Sequence, residues 1–202
     1  MLGLGSSSIV FSEIYNQRGY EAVILCNFED RDLQHSPFRR AISEIPQVIL
    51  LANISEPAPS CRTASEIGVT SVVEIRRSGD FARQRSIWRL NKLGKRVLPL
   101  PDHYPDSLQK TTRGTGLVGV ALASMIADEV DVFGIEFYRS DYIRGDYSTV
   151  AAEAGDPDLR EIAGEIECAF ENLIKLHADK QFTMYCHAEH SLSEPNLDIL
   201  RF

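Results

Sequence analysis

The apolar positions of the chain alternate between short continuous runs and stretches in which they recur every three to four residues. Runs at 22–26, 47–52, 71–75, 96–100, 130–135 and 181–186 predict buried strands. The periodic stretches predict helices, including 38–45, 80–93, 117–126 and 157–177. Strands that alternate with helices are typical of a parallel sheet. We therefore expect a single Rossmann-like α/β domain over residues 1–202, with about seven strands, counting a stunted first strand at Met1 and Leu2, and helices on both faces.

The stretch from Gly114 to Tyr138 carries the densest pattern. A loop of small residues (Gly114, Thr115 and Gly116) opens an apolar helix, and a strand follows in which Gly134 lets the backbone pass close to a neighbour. Phe137 and Tyr138 come at the carboxyl end of that strand, where ligands bind in open parallel sheets. Free amide hydrogens at the start of a helix suit a phosphate. An ordinary turn before a helix is the alternative interpretation.

Polar residues follow other predicted strands in the same way. The chain opens on the turn Gly3–Ser8, and Asn27 and Asn53 follow the next two strands. Because carboxyl ends of parallel strands line one crevice, Gly3, Gly5, Ser6, Ser7 and these asparagines are candidates for binding a base, ribose or phosphate. The alternative is that each asparagine only tolerates a left-handed turn conformation.

The segment 139–157 has no stable period and is long for a connection, which favours a functional lid. Asp156 precedes Pro157 as a helix N-cap would. After the strand at 181–186, we expect His187–Leu192 to lead into an exposed tail.

Composition and charge narrow the class of protein. With 202 residues and 44% hydrophobic content, the chain can bury one substantial core. No run approaches the ~20 apolar residues of a membrane span, and no signal-peptide pattern is present, which predicts a cytoplasmic protein. The net charge of -8 argues against general nucleic-acid binding. The four cysteines lack Cys-x-x-Cys spacing, and Cys26 and Cys186 lie in apolar runs, so we expect buried thiols.

Basic residues concentrate between Arg76 and Arg96, where eight of them accompany a single acid, Asp80. A solvated helix face is the simpler interpretation of such a run. The alternative is a docking surface for an anionic acceptor or for lipid headgroups.

The stretch Gly-Thr-Gly-Leu to Glu-Phe-Tyr at 114–138 resembles bacterial sialyltransferases of glycosyltransferase family 42, and its helix end is similar to the small sialyl motif of animal enzymes. Cys26-Asn27 and Asn53 match family positions that contact the nucleotide sugar. Gly3, Gly5 and Ser7 match the first turn in part, with Leu4 where the family has Asn. Phe137-Tyr138 matches the family's aromatic pair, and Tyr142 corresponds to a second tyrosine that bonds the CMP phosphate.

The resemblance implies a glycosyltransferase that moves sialic acid from CMP-sialic acid to a saccharide or lipooligosaccharide acceptor with inversion, without metal or cofactor. Tyr138 and Tyr142 would bind the leaving phosphate. The family's general base is a lid histidine, and this chain has no histidine between Tyr104 and His177. The candidate bases are therefore His187, His190 and Asp156, without a choice between them.

Other functions remain open at this point. The donor could be another CMP-keto-sugar such as Kdo, or the chain could be a degenerate nucleotide-sugar binder. An unrelated Rossmann-type enzyme could bind NAD or S-adenosylmethionine through Gly3-Leu4-Gly5, with Glu29 or Asp30 on the ribose. Asp128, Glu129 and Asp131 are better explained by capping than by a metal site. A peripheral place on the inner membrane and homo-oligomerisation are further expectations.

Overall fold

The computed structural model describes residues 1–3, 5–34, 36–52, 60–74, 96–99, 115–135, 137, 157–187 and 189–202. Several predicted features lie outside these ranges. They are the helix at 80–93, the basic segment apart from Arg96, the lid apart from residue 157, and the candidates Asn53, Gly114, Tyr138, Tyr142 and Asp156.

The described residues form seven strands and five α-helices. The strands are β1 (Ala22–Cys26), β2 (Gln47–Ala52), β3 (Val69–Glu74), β4 (Arg96–Pro99), β5 (Glu129–Phe133), β6 (Gln181–Cys186) and β7 (Leu197–Arg201). The helices are α1 (Phe11–Arg18), α2 (Ser36–Glu44), α3 (Cys61–Glu66), α4 (Thr115–Ile126) and α5 (Pro157–Leu176). Short 3-10 helices cover Ser6–Val10 and Asp32–Gln34.

All strand pairs in the described part of the chain are parallel, which confirms an α/β fold. The single seven-stranded sheet is wrong, however, because these strands form two sheets, with orders β1-β2-β3-β4 and β5-β6-β7. The expected first strand contributes only an isolated bridge between Leu2 and Phe133. A pairing that short adds no full strand to the sheet.

By its contacts the chain forms two compact units. One contains residues 9–103 and the other residues 1–8 with 104–202. The prediction of a single domain stays a prediction. Each unit is described below by itself.

In the unit of residues 9–103, strand β1 is buried on both faces. In β1 the four consecutive residues Val23 to Cys26 are buried, as the continuous apolar run predicts. An aromatic cluster joins α1 to α2, with the ring of Phe11 stacked on those of Tyr20 and Phe38 at centroid distances of 5.9 and 6.2 Å. Helix α3, which the sequence analysis missed, begins at the N-cap Ser60, whose Oγ accepts the backbone N–H of Thr63.

In the other unit, α4 is apolar on every side. The eight residues from Leu117 to Ser124 are all buried, which extends the single core-facing stripe that its periodicity predicts. α4 packs against β5 and α5. α5 is amphipathic and buries Ile166, Phe170, Leu173 and Ile174.

The predicted exposed tail is wrong. Residues 187–196 are a ten-residue crossover, without a described helix, from β6 to its parallel neighbour β7. The crossover buries His190 and Leu192. At its end Asn196 uses Nδ2 to donate to the backbone carbonyls of Ile174, His177 and Lys180, at 2.9 to 3.2 Å. Asn196 therefore fastens the crossover to the end of α5 and to the turn that follows it.

Among the described helices, none combines the length and the hydropathy needed to cross a membrane.

Candidate functional site

The start of the chain runs beside β5 and ends against the turn that follows this strand. The N–H of Gly3 donates to the carbonyl of Phe133 at 2.7 Å, and the N–H of Gly5 donates to that of Gly134 at 2.9 Å. The Oγ of Ser7, which is fully buried, accepts the N–H of Gly134 at 3.0 Å. The structure therefore brings the predicted turn residues Gly3, Gly5 and Ser7 together at the carboxyl end of β5.

Gly3 and Gly134 allow this approach because neither carries a side chain. Gly134 has φ +67°, and a Cβ there would lie 2.7 Å from the carbonyl oxygen of Gly3. A Cβ on Gly3 would lie 2.5 Å from the carbonyl oxygen of Gly134. The predicted close passage at Gly134 is confirmed, and its partner is the first turn of the chain. Packing alone thus accounts for these glycines.

The loop before α4 is described from Thr115 onward. Thr115 and Gly116 are both half-buried, at the first two positions of the helix. A Cβ on Gly116 would collide with the side chain of Ile135, just after the turn at Gly134. The start of α4 thereby lies against the carboxyl end of β5, where its first amide groups can meet an anion.

Phe137 holds an unusual backbone conformation next to this turn. Its φ is +48°, which costs a non-glycine residue about 1–3 kcal/mol. Its buried ring packs edge-on against Phe170 of α5 at 5.4 Å and against His190 at 5.3 Å. Burial of the ring contributes about 1.5–3 kcal/mol, and each aromatic pair about 0.5–1.5 kcal/mol more. These contacts outweigh the strain and fix the turn.

His190 lies inside the protein between two elements. Its side chain is 0% exposed, and its Nδ1 lies 3.4 Å from Oε1 of Glu167 on α5, whose side chain is 10% exposed. Its ring is nearly perpendicular to that of Phe137, at 87°. One imidazole of the crossover thus contacts both α5 and the turn after β5.

His187 has the opposite environment. It is exposed just after β6, its ring packs against Phe202 at 4.5 Å, and its Nδ1 lies 3.1 Å from the carbonyl oxygen of Phe202. A carbonyl oxygen only accepts hydrogen bonds, so Nδ1 carries the hydrogen. In the neutral ring the lone pair then belongs to Nε2, the form that a general base requires.

Asn27 belongs to the other unit, at the end of β1. It has φ +61°, and its N–H donates to the carbonyl of Leu51 at 3.3 Å. The left-handed conformation agrees with the simpler interpretation, in which asparagine is tolerated at a turn. Ser6 opens the 3-10 helix Ser6–Val10.

The two acids proposed for a ribose are engaged in local contacts. Asp30 accepts the backbone N–H of Ser60 at 2.7 Å, before α3. Burial opposes ionisation of Asp30, but hydrogen bonds from Thr63 and Ser60 outweigh it, so its pKa lies below the ordinary value. The carboxylate of Glu29 pairs with Arg31 at 3.1 Å.

The acids at the start of β5, which the sequence analysis assigned to capping, make contacts that differ from one residue to the next. Asp128 is exposed and pairs with Lys180 at 2.6 Å, and this bond lowers the pKa of Asp128. Asp131 is buried in β5, and its carbonyl accepts the N-terminal ammonium of Met1 at 2.6 Å. Within the described ranges, no three histidines, cysteines or acids lie close enough together to hold a metal ion. Cys26 and Cys186 are buried, as predicted, and neither they nor the exposed Cys168 forms a disulfide in the described part of the chain.

Glu167 is the residue that the sequence analysis missed. It stands three positions before Phe170 and seven before Ile174, on the apolar stripe of α5. A charged residue at a core-facing helical position was the signal that could have marked it.

No protein-family model matches the chain, and neither a curated protein nor a solved structure does so.

Proposed function

We propose that the chain is an inverting glycosyltransferase that moves sialic acid from CMP-sialic acid to a saccharide or lipooligosaccharide acceptor. One observation carries the proposal. The segment that resembles the sialyltransferases forms a helix, a strand and a glycine turn, and this turn meets the first glycine-rich turn of the chain through Gly3 and Gly134. The two turns pack against each other at the strand end beside the start of α4, and the first amide groups of that helix can meet a nucleotide phosphate there.

The chemistry of this transfer needs two groups. A base removes the proton of the acceptor hydroxyl. At the same time the hydroxyl oxygen attacks the anomeric carbon of the sialyl group from the face opposite CMP. The bond from that carbon to the phosphate oxygen breaks, and CMP leaves with the electron pair. Tyr138 and Tyr142 are the proposed donors to the leaving phosphate.

Among the candidate bases we assign the role to His187. Its exposure allows contact with an acceptor, and the bond from Nδ1 to the carbonyl of Phe202 fixes the tautomer that a base needs. The side chain of His190 is 0% exposed, so it is less suited to contact an acceptor and better suited to position neighbouring side chains. Asp156 stays a proposed alternative.

The proposal includes a cytoplasmic location at the inner membrane surface, with the basic residues Arg76–Arg96 facing an anionic acceptor. It also includes catalysis without a metal, and homo-oligomerisation is an open part of it. Another CMP-keto-sugar is the nearest alternative donor. The local bonds of Glu29 and Asp30 make the NAD or S-adenosylmethionine hypothesis weaker.

The first experiment compares thermal shifts with CMP, CDP, UDP, NAD and S-adenosylmethionine. CMP should give the largest shift, since a ligand at 100 times its Kd adds about 2.7 kcal/mol of stability. A larger shift with NAD or S-adenosylmethionine would reject the proposal. A CMP shift without transfer from any CMP-sugar would identify a nucleotide-sugar binder.

The base is tested by His187→Gln, with His177→Gln as the matched control on a histidine just after α5. His187→Gln should lower kcat by about 10²-fold to 10⁴-fold and remove the acidic limb of the pH profile, with the CMP shift unchanged. If His187→Gln retains transfer while Asp156→Asn abolishes it, Asp156 is the base.

A further inference from the structure

The crossover of residues 187–196 meets α5 and the turn after β5 at one enclosed group of side chains. Nδ1 of His190 lies 3.4 Å from Oε1 of Glu167, and on the same imidazole the ring of Phe137 packs at 5.3 Å. Phe170 of α5 closes the other side of Phe137. We call these four side chains the Phe137 clamp.

Of the four side chains of the clamp, two are polar, the carboxylate of Glu167 and the imidazole of His190, and the other two are phenylalanine rings. Other charged groups near the crossover have separate partners. Glu189 pairs with Arg201 of β7 at 3.0 Å, and Glu194 pairs with Lys175 of α5 at 3.2 Å. Glu167 is therefore the carboxylate that faces the His190 imidazole in the described part of the chain.

We propose that Glu167 is a positioning residue, which orients the His190 imidazole and through it holds Phe137 in the backbone conformation that a bound nucleotide donor requires. The inference rests on the proposed function for the identity of the donor. The imidazole can face the carboxylate with Nδ1 in only one of its two ring orientations. A ring fixed in this way presents a constant edge to Phe137. The left-handed φ of Phe137 then depends on the charge of Glu167, which acts through the His190 imidazole.

The test uses the full chain and the substitution Glu167→Gln, which keeps the size of the side chain and removes its charge. Glu189→Gln is the matched control, because it removes the same charge from the residue next to His190 at an exposed position. The first measurement is an NMR titration of the His190 ring without ligand, assigned with His190→Gln. Glu167→Gln should shift the titration midpoint of His190 to lower pH, because an opposite charge favours the imidazolium. Glu189→Gln should leave it nearly unchanged.

The second measurement is the affinity for CMP. Glu167→Gln should weaken it about fivefold to tenfold and move the amide resonance of Phe137, and Glu189→Gln should do neither. An unchanged titration midpoint in Glu167→Gln would overturn the proposal. So would an unchanged CMP affinity in a wild-type background that binds CMP, since the pair would then only stabilise the fold.

Two results separate this proposal from the proposed function. If the wild-type chain binds no CMP, the donor role of the clamp fails together with the proposed function, whatever the titration shows. If CMP binds and His187→Gln abolishes transfer while Glu167→Gln behaves like Glu189→Gln, only the positioning role of Glu167 fails. Should Glu167→Gln not fold, a ring-to-ring NOE between His190 and Phe137 in the wild-type chain is still required, and its absence would also overturn the proposal.

Discussion

The two compact units differ in where they bury polar side chains. Among the described residues, the unit of residues 9–103 buries one, Asp32, while the other unit buries seven: Ser7, Ser8, Ser124, Asp131, Glu167, Thr183 and His190. Each unit contains a strand that is buried on both faces, β1 in one and β6 in the other. A buried polar group costs free energy unless it is hydrogen-bonded. The second unit therefore carries polar interactions that a simple apolar core does not need, which is typical of a part of a fold that serves function.

The largest expected difference in stability is between two substitutions of glycines with positive φ, one in each unit. Gly134 faces the backbone of Gly3, whereas Gly68, with φ +70°, has open space where a Cβ would stand. Gly68→Ala should cost about 1–2 kcal/mol through backbone strain alone. Gly134→Ala adds a clash worth about 1–3 kcal/mol more. Chemical denaturation of both variants measures the difference, and equal losses would mean that the turn after β5 relaxes freely.

The second comparison introduces a polar side chain in a strand of one unit and removes one from a strand of the other. Its expected effect on the free energy of unfolding is intermediate. Ile24→Thr replaces a buried ethyl group of the apolar strand β1 by a hydroxyl, so it should cost about 2–3 kcal/mol. Thr183→Val removes a hydroxyl from β6 and should change the free energy of unfolding by less than about 1 kcal/mol. A loss in Thr183→Val as large as that in Ile24→Thr would show that the buried polar groups of the second unit serve stability.

The third comparison uses the unsubstituted chain, so it should change the stability of the fold least. It compares the alkylation of a buried thiol in one unit with that of an exposed thiol in the other. Burial raises the pKa of Cys26 to about 12, so at pH 8 only about one molecule in 10⁴ carries the thiolate. Cys168 on α5 is exposed. Iodoacetamide should therefore alkylate Cys168 and leave Cys26 intact, as peptide mass spectrometry would record. Alkylation of Cys26 at a comparable rate would show that the structure around β1 opens often enough to expose this thiol.

The sequence predicted best those elements whose signals are local. β1, β2 and β6 begin and end where their continuous apolar runs do. β3 begins at Val69, two residues earlier than predicted, because the polar Thr70 separates Val69 from the rest of the run. β7 was missed since parallel neighbours usually need a connection of a dozen residues or more, often a helix, and residues 187–196 are fewer.

The candidate site was predictable only in part, for a similar reason. Gly134 could be recognised as a close-approach position, but no local pattern identifies a partner more than a hundred residues away. The pairing of His190 with Glu167 joins a crossover to a helix, and neither segment alone predicts the other. The functional roles of Tyr138, Tyr142, Asn53, Gly114 and Asp156 stay predictions.

The bond between the start of the chain and β5 has a consequence for how the protein reaches its fold. The ammonium of Met1 meets the carbonyl of Asp131 across a sequence separation of 130 residues. At a synthesis rate of 5–20 residues per second, the first turn waits about 7–26 s for its partner to leave the ribosome. Contacts of such high order also slow folding from the denatured state. The first turn of the chain therefore cannot take its native form before β5 and Gly134 have been synthesised.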